Sequence, residues 1–200
     1  MDLDQLHSAL QLAEEPGTRD AAVLIPLIDT PSGLQVLLEV RAQTLAVQPG
    51  EVCLPGGGID AGETPLEAAI RETCEELLVD PGQIEVIGSL GSQPGPGGRP
   101  LHVFVGILTN YQGTWSVDEV DQTFTISLDW LLAHEPAIYD VTLTPTYPED
   151  YPWDLIPGGT NYRWRPQVNH VPFYRGTDPL IWGATARVLK RFADLCKAQA

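Results

Sequence analysis

Apolar positions fall in short runs at strand spacing through most of the chain, and at helical spacing in three segments. Residues 21–28 (AAVLIPLI) are almost unbroken, the pattern of a buried strand. Residues 34–40 form a second run across the turn Thr30-Pro31-Ser32-Gly33, so the two predict a hairpin. Residues 51–54 predict a short strand entering a glycine-rich turn. Residues 84–90 and 101–108 predict two more strands, separated by the flexible segment Gln93-Pro94-Gly95-Pro96-Gly97-Gly98. Val120, Phe124 and Ile126 sit at even spacing in a further strand, which runs into a helical turn over 128–133. Leu3, Leu6, Leu10 and Ala13 predict a short amphipathic helix over 1–13. Leu66, Ile70, Thr73 and Leu77 mark a central helix with that side toward the core. Leu180, Ala184, Val188, Leu189, Phe192 and Leu195 mark a closing helix over 178–198. No repeats occur. Helices flanking a mixed sheet predict an α/β (α+β) fold, an α/β/α sandwich.

Two hundred residues with 43% hydrophobic composition suit a single domain spanning 1–200 with an adequate core. Residues 134–172 break the pattern, with little periodicity and many Pro, Tyr and Trp residues. There Tyr147, Tyr151, Trp153, Tyr162 and Trp164 interleave with Arg163 and Arg165. A stretch this long in a compact domain is functional or disordered, and its aromatics argue against plain disorder. Two readings stand. One is a lid, with Trp164 stacking a base while Arg163 and Arg165 pair a phosphate. The other is an ordered arm that covers the core or makes a homodimer contact.

The chain opens Met-Asp-Leu-Asp, without the basic region of a signal peptide, and no apolar run approaches membrane-spanning length. Cys53, Cys74 and Cys196 are odd in number and lack metal-ligand spacing, so they read as reduced thiols. A cytoplasmic enzyme is expected. The net charge of −16 argues against nucleic-acid backbone and anionic membrane surfaces as partners. It also disfavours an anionic small substrate unless metal ions mask an acidic site.

Such a site is offered by residues 57–79, GGIDAGETPLEAAIRETCEELLV. Thr64-Pro65-Leu66-Glu67 is a capping box with proline at the first helical position, so the helix starts there. Glu72, Glu75 and Glu76 then project from one face, opposite the core side. Like charges at these spacings cost about 0.2–0.5 kcal/mol per pair unless a cation offsets them. Hard divalent cations bound through oxygen are the usual remedy, so the cluster reads as a site for Mg²⁺ or Mn²⁺. Arg71 has Glu67 at i−4 and Glu75 at i+4, placing it to orient a carboxylate or contact phosphate. Upstream, Pro55-Gly56-Gly57-Gly58 lets the backbone approach closely and offers carbonyl oxygens to a metal.

At these residues the chain resembles the Nudix hydrolases, whose signature is G-x(5)-E-x(7)-R-E-U-x-E-E-x-G-U, with U a bulky aliphatic residue. Gly57, Glu63, Arg71, Glu72, Glu75, Glu76 and Val79 match it. Thr73 occupies an aliphatic slot, and Leu78 replaces the final glycine. If the left-handed geometry of that glycine is kept, leucine costs on the order of 1 kcal/mol. The alternative is a helix that runs on to the Asp80-Pro81-Gly82 breaker. The resemblance implies a Nudix-type α/β/α sandwich and metal-assisted hydrolysis of a phosphoanhydride. Glu72, Glu75 and Glu76 would coordinate one to three Mg²⁺ or Mn²⁺ ions, with the Gly57 carbonyl as a further ligand. Glu63 would join the outer metal shell or orient Arg71. Glu119, at a loop-to-strand start, is read as a distal metal ligand or general base, against a solvated turn glutamate.

Substrate class must come from outside that motif. Several blocks are similar to the coenzyme A diphosphatase branch, which carries L-L followed by R-x(3)-G-x(3)-F-P-G-G. Leu37-Leu38, Gly50 and Pro55-Gly56-Gly57 fit, while Ala46 stands where the arginine belongs and Leu54 replaces the phenylalanine. Arg71-Glu72-Thr73, Asp118-Glu119-Val120, and Ile181-Trp182-Gly183-Ala184-Thr185-Ala186 in the last helix are also similar. The resemblance spans roughly 21–133 and 170–195. It implies a small-molecule nucleoside diphosphate substrate, coenzyme A or its thioesters, cleaved to 3′,5′-ADP and a 4′-phosphopantetheine product. Arg41 and Arg99 are candidate phosphate contacts. Two other readings are a Nudix hydrolase acting on ADP-ribose, NADH or a nucleoside triphosphate, and a non-catalytic binding module. Intact Arg71, Glu72, Glu75 and Glu76 weigh against the second.

Overall fold

The structure, a computed structural model, describes residues 20–198. The helix expected over 1–13 lies outside them. β1 (Ala21–Thr30) and β2 (Gly33–Arg41) form the expected antiparallel hairpin. Thr30 Oγ1 donates to the Gly33 carbonyl at 2.7 Å across its turn. β3 (Val52–Cys53) and β7 (Val120–Ser127) pair antiparallel with β2, and β4 (Gly56–Gly58) pairs antiparallel with β1. β5 (Ile84–Pro94) pairs with β6 (Pro100–Leu108), which runs parallel to β1. The result is a seven-stranded mixed sheet with central order β3-β2-β1-β6-β5. Residues 93–98 do not separate the last two strands as a flexible segment. Pairing runs to Pro94 opposite Pro100, leaving only a tight turn.

Strand alternation sorts the core into two layers. Val36, Leu38 and Val40 of β2 pack with Val188, Leu189 and Phe192 of α3 (Gly183–Lys197). Leu37, from the opposite face of β2, packs with Leu77 and Val79 at the end of α1 (Pro65–Leu77). Each fully buried side chain of this size contributes about 1.5–3 kcal/mol relative to exposure. α2 (Leu128–Ala133) joins the α3 side through Leu131. Helices on both faces of the sheet make the sandwich. No helix among the described residues is long and apolar enough to cross a membrane.

Two sequence expectations are corrected beyond the sheet. Residues 134–172 are not aperiodic throughout. β8 (Ala137–Leu143) and β9 (Gln167–Tyr174) form an antiparallel ribbon, joined by β10 (Ile181–Trp182) into a second, three-stranded sheet. Tyr139, Val141 and Leu143 had the alternation of a strand, which the prolines on either side masked. Ile181-Trp182 belong to β10 and not to the last helix, because they pair with Tyr174 and Phe173. The closing helix therefore begins at Gly183.

Candidate active site

α1 begins as its capping box dictates. Thr64 Oγ1 accepts from the Glu67 amide at 3.3 Å, and the Thr64 amide donates to Glu67 Oε2 at 2.8 Å. Thr73 fits its buried aliphatic slot because its hydroxyl donates to the Ala69 carbonyl at 2.6 Å, leaving only the methyl to pack. The helix does not run on to residues 80–82. Leu78 takes the left-handed cap (φ 53°, ψ 49°), and its amide donates to the Cys74 carbonyl. Leucine tolerates this geometry while Leu77 and Val79 on either side are held in the core.

One turn of this helix carries the chemistry, and it is not all on the solvent side. Glu76 lies against the sheet, 4% exposed, contrary to its expected position opposite the core. It follows Thr73 and precedes Leu77 on the inward face, and its Oε2 accepts from the Gly56 amide at 2.7 Å. Glu75 is exposed and Glu72 half-buried. Arg71 commits all of its N–H groups nearby. Nε and Nη2 donate to the two oxygens of Glu63 at 2.9 and 3.0 Å, and Nη2 also donates to the Gly58 carbonyl at 3.0 Å. Nη1 donates to Glu72 at 2.8 Å and Glu75 at 3.2 Å. Arg71 is thus a positioning residue that Glu63 holds in place, and it has no donor free for phosphate.

The two central glycines of the turn are required by close approach. Gly56 has φ +147°, and a Cβ there would lie 2.2 Å from the Ala22 carbonyl oxygen. A Cβ on Gly57 would lie 2.4 Å from the Glu72 carboxyl carbon. The Gly57 backbone and the Glu72 carboxylate therefore abut.

The structure adds a residue that sequence reasoning missed. Glu39 of β2 is 1% exposed and shares the Leu37 face of the strand, the side covered by α1. Its Oε1 accepts from the Cys53 thiol at 3.2 Å, and its Oε2 is buried without a hydrogen-bond partner among the described residues. A lone carboxylate amid Leu37, Leu38 and Val40 was the available signal.

Charge crowding defines the cluster. Burial pushes the Glu39 carboxyl up to about 7, against the lowering pull of Cys53 and Arg41. Burial, and then the Glu39 charge, push Glu76 up to about 9. Burial also raises Glu72, helped by the charges of Glu75 and Glu119. Glu119 is exposed, and its charge adds to the upward push on Glu39, Glu72 and Glu76.

These raised values set the pH dependence of the metal-free fold. A carboxyl whose folded value is raised favours folding below its ordinary 4.5, and that advantage disappears as pH rises through the folded value. In EDTA, the melting temperature is expected to fall by on the order of 5–10 °C between pH 6 and pH 9. A flat profile by scanning calorimetry would contradict a buried, metal-free carboxyl pair.

Among the described residues, no three His, Cys, Asp or Glu side chains already stand in ion-holding geometry. Glu72 and Glu75 are turned onto Arg71 Nη1. The donor set nevertheless fits a hard divalent cation. Glu72 and Glu76 offer carboxylate oxygens, Gly57 brings backbone against Glu72, and the Glu39 oxygen is orphaned in a cation-poor pocket.

Beside the cluster, a cleft of about 190 Å³ is lined by Arg41, Gln48, Cys53, Gly56, Gly57 and Trp182, among others. Arg41 Nε donates to the Val47 carbonyl at 3.3 Å. Arg99 borders an adjoining recess that shares Ala21, Gln48 and Leu101 with this cleft. Both arginines therefore face connected space. A larger recess of about 690 Å³ runs along the exposed side of α1, past Asp60, Glu63, Arg71, Cys74, Glu75 and Pro81. Glu63, Arg71 and Glu75 thus border this recess, while Gly56 and Gly57 border the smaller cleft. Arg163, Trp164 and Arg165 are not among the residues lining the cleft. Trp164 packs instead with Tyr147 and Tyr162 between β8 and β9.

A mixed sheet between helices, with this carboxylate cluster at a glycine turn, is the architecture of a phosphoanhydride hydrolase that uses divalent metal. The NUDIX domain model matches residues 18–159. The chain is 32% identical over 203 residues to NudL of Salmonella paratyphi B, an uncharacterized Nudix hydrolase, covering 96% of this chain and 94% of that one. It is 35% identical over 125 residues to the mouse peroxisomal coenzyme A diphosphatase NUDT7, covering 62% of this chain and about half (52%) of that relative. The solved MutT/nudix family protein of Enterococcus faecalis has the same fold, with TM-score 0.52 at 16% identity over 98% of this chain and 70% of its own. The chain belongs to the Nudix hydrolase family. Such enzymes act on nucleoside diphosphate derivatives and generally use divalent metal ions.

Proposed function

We infer that the chain cleaves the phosphoanhydride of coenzyme A or its thioesters, giving 3′,5′-ADP and a 4′-phosphopantetheine product. The observation that carries this reading is the cleft itself. Its walls are the Leu54–Gly57 turn and the start of α3, two of the blocks that are similar to coenzyme A diphosphatases. Similarity to mouse NUDT7 over 125 residues supports it. Ala46 supplies no cation where that branch has arginine, so Arg41 and Arg99 on the connected recesses are assigned the substrate's phosphates. The setting is cytoplasmic on this reading, consistent with free thiols at Cys53, Cys74 and Cys196.

Glu72, Glu75 and Glu76, with the Gly57 carbonyl, would hold Mg²⁺ or Mn²⁺, which neutralises the diphosphate and lowers the pKa of an attacking water. Arg71 ties Glu72 and Glu75 together through Nη1, and Glu63 fixes Arg71. Glu119 would take the proton that water loses as a new P–O bond forms and the bridging P–O bond breaks. Product release should be compared across coenzyme A, acetyl-coenzyme A, ADP-ribose, NADH and nucleoside triphosphates with each metal. Coenzyme A compounds are expected to give the highest kcat/KM. If ADP-ribose outpaces them by orders of magnitude, the coenzyme A reading fails.

A further inference from the structure

Glu39 lies outside the signature motif, yet its carboxylate shares the pocket of Glu76. We propose that Glu39 is a further carboxylate ligand of the divalent-metal site, presented by β2 opposite Glu76 of α1, with the Cys53 thiol fixing its orientation. The proposal rests on the reading that this cluster holds a divalent ion. Three independent features carry it.

Strand geometry comes first. The two-residue period of β2 sends Val36, Leu38 and Val40 to the α3 side and Leu37 and Glu39 to the α1 side. Leu37 meets Leu77, and Glu39, two residues further along β2, reaches the neighbouring Glu76. Hydrogen bonding comes second. Cys53 is the cross-strand partner of Glu39, and its thiol engages Oε1 alone. Oε2 is left buried with no amide, hydroxyl or cation partner, facing the Glu76 carboxyl. An unpaired buried acceptor of this kind is costly to leave and is filled when a cation binds. Local charge comes third. Among the described residues, no Lys, Arg or His side chain forms an ion pair with Glu39 or Glu76; Arg41 acts on Glu39 only through its charge, and Arg71 is locked away on Glu63, Glu72 and Glu75. A purely structural residue here would need no charge, since glutamine fills the same volume and can still accept from Cys53. A carboxylate is needed only if something cationic enters.

The test uses the full chain and Mn²⁺ alone, with free Mn²⁺ counted by electron paramagnetic resonance at pH 8. Glu39→Gln and Glu39→Asp are each expected to weaken Mn²⁺ binding at least about tenfold while retaining the wild-type near-UV circular dichroism. Binding within twofold of wild type in both overturns the proposal. Wild-type affinity in Glu39→Asp with weak binding in Glu39→Gln means that only the charge matters, and direct ligation is then wrong. The metal-free Glu39→Gln protein is expected to melt no lower than wild type at pH 8, with a smaller rise on adding Mn²⁺. A lower metal-free melting temperature with an undiminished Mn²⁺-induced rise marks Glu39 as a packing residue and overturns the proposal. The two readings fail separately. A wild type that binds Mn²⁺ through Glu39 but cleaves no diphosphate sinks the proposed function alone. An active enzyme whose Glu39 variants bind Mn²⁺ normally sinks this inference alone.

Discussion

Glu76→Gln is expected to lower turnover by about 10²-fold or more while making the metal-free protein more resistant to heat at pH 8. Both effects come from one buried oxygen pair. Glu76 is 4% exposed, and its Oε2 sits 2.7 Å from the Gly56 amide. As a carboxylate it offers a hard cation a ligand from the centre of the cluster, and an amide is a far weaker donor to such an ion. As a metal-free side chain, however, it is an acid held protonated by burial and by Glu39, and ionising it weakens the fold. Glutamine can still accept from Gly56 through its carbonyl, and its amide N–H can donate to the orphaned Glu39 Oε2. Steady-state turnover and melting in EDTA measure the two effects. Wild-type kcat in a folded variant would remove Glu76 from the reaction.

Alanine at the two adjacent glycines should fail in different ways. Gly57→Ala puts a methyl group 2.4 Å from the Glu72 carboxyl carbon and 2.5 and 2.6 Å from its oxygens. Those atoms end a flexible side chain, so the carboxylate swings aside and the backbone survives. A fold close to wild type is expected, with turnover down about 10²-fold, because displacement of a ligand by about 1 Å is enough for that loss. Gly56→Ala instead drives a methyl group to 2.2 Å from the Ala22 carbonyl oxygen and 2.6 Å from Val23 Cα, at φ +147°. Backbone on both sides of the β1–β4 pairing has to move. The expected cost is about 3 kcal/mol or more, seen as loss of soluble protein or a large drop in denaturant midpoint. Equal stability of the two variants would show that the turn does not pack against β1 as described.

Elements with strong local signals are legible in the amino-acid sequence itself. The capping box places the start of α1, the turn at Thr30–Gly33 places the first hairpin, and short apolar runs place the sheet strands other than β4, whose glycines read as a turn. The β8–β9 ribbon is not legible there, because its register is set by pairing across more than twenty intervening residues rich in Pro and aromatics. Leu78 is not settled locally either. Its left-handed cap is disfavoured by its own side chain and is held by the burial of its two neighbours.

The candidate site divides along the same line. Sequence spacing alone determined that Arg71, Glu72, Glu75 and Glu76 share a turn and a half of helix after a glycine turn, because helical periodicity is a local property. Which way each points was decided by tertiary packing. The sheet covers Glu76 and leaves Glu75 in solvent, Glu63 captures Arg71, and the hairpin brings Glu39 from thirty-seven residues upstream to the side of Glu76. Those facts depend on which face of a strand meets which face of a helix, and only long-range burial fixes that.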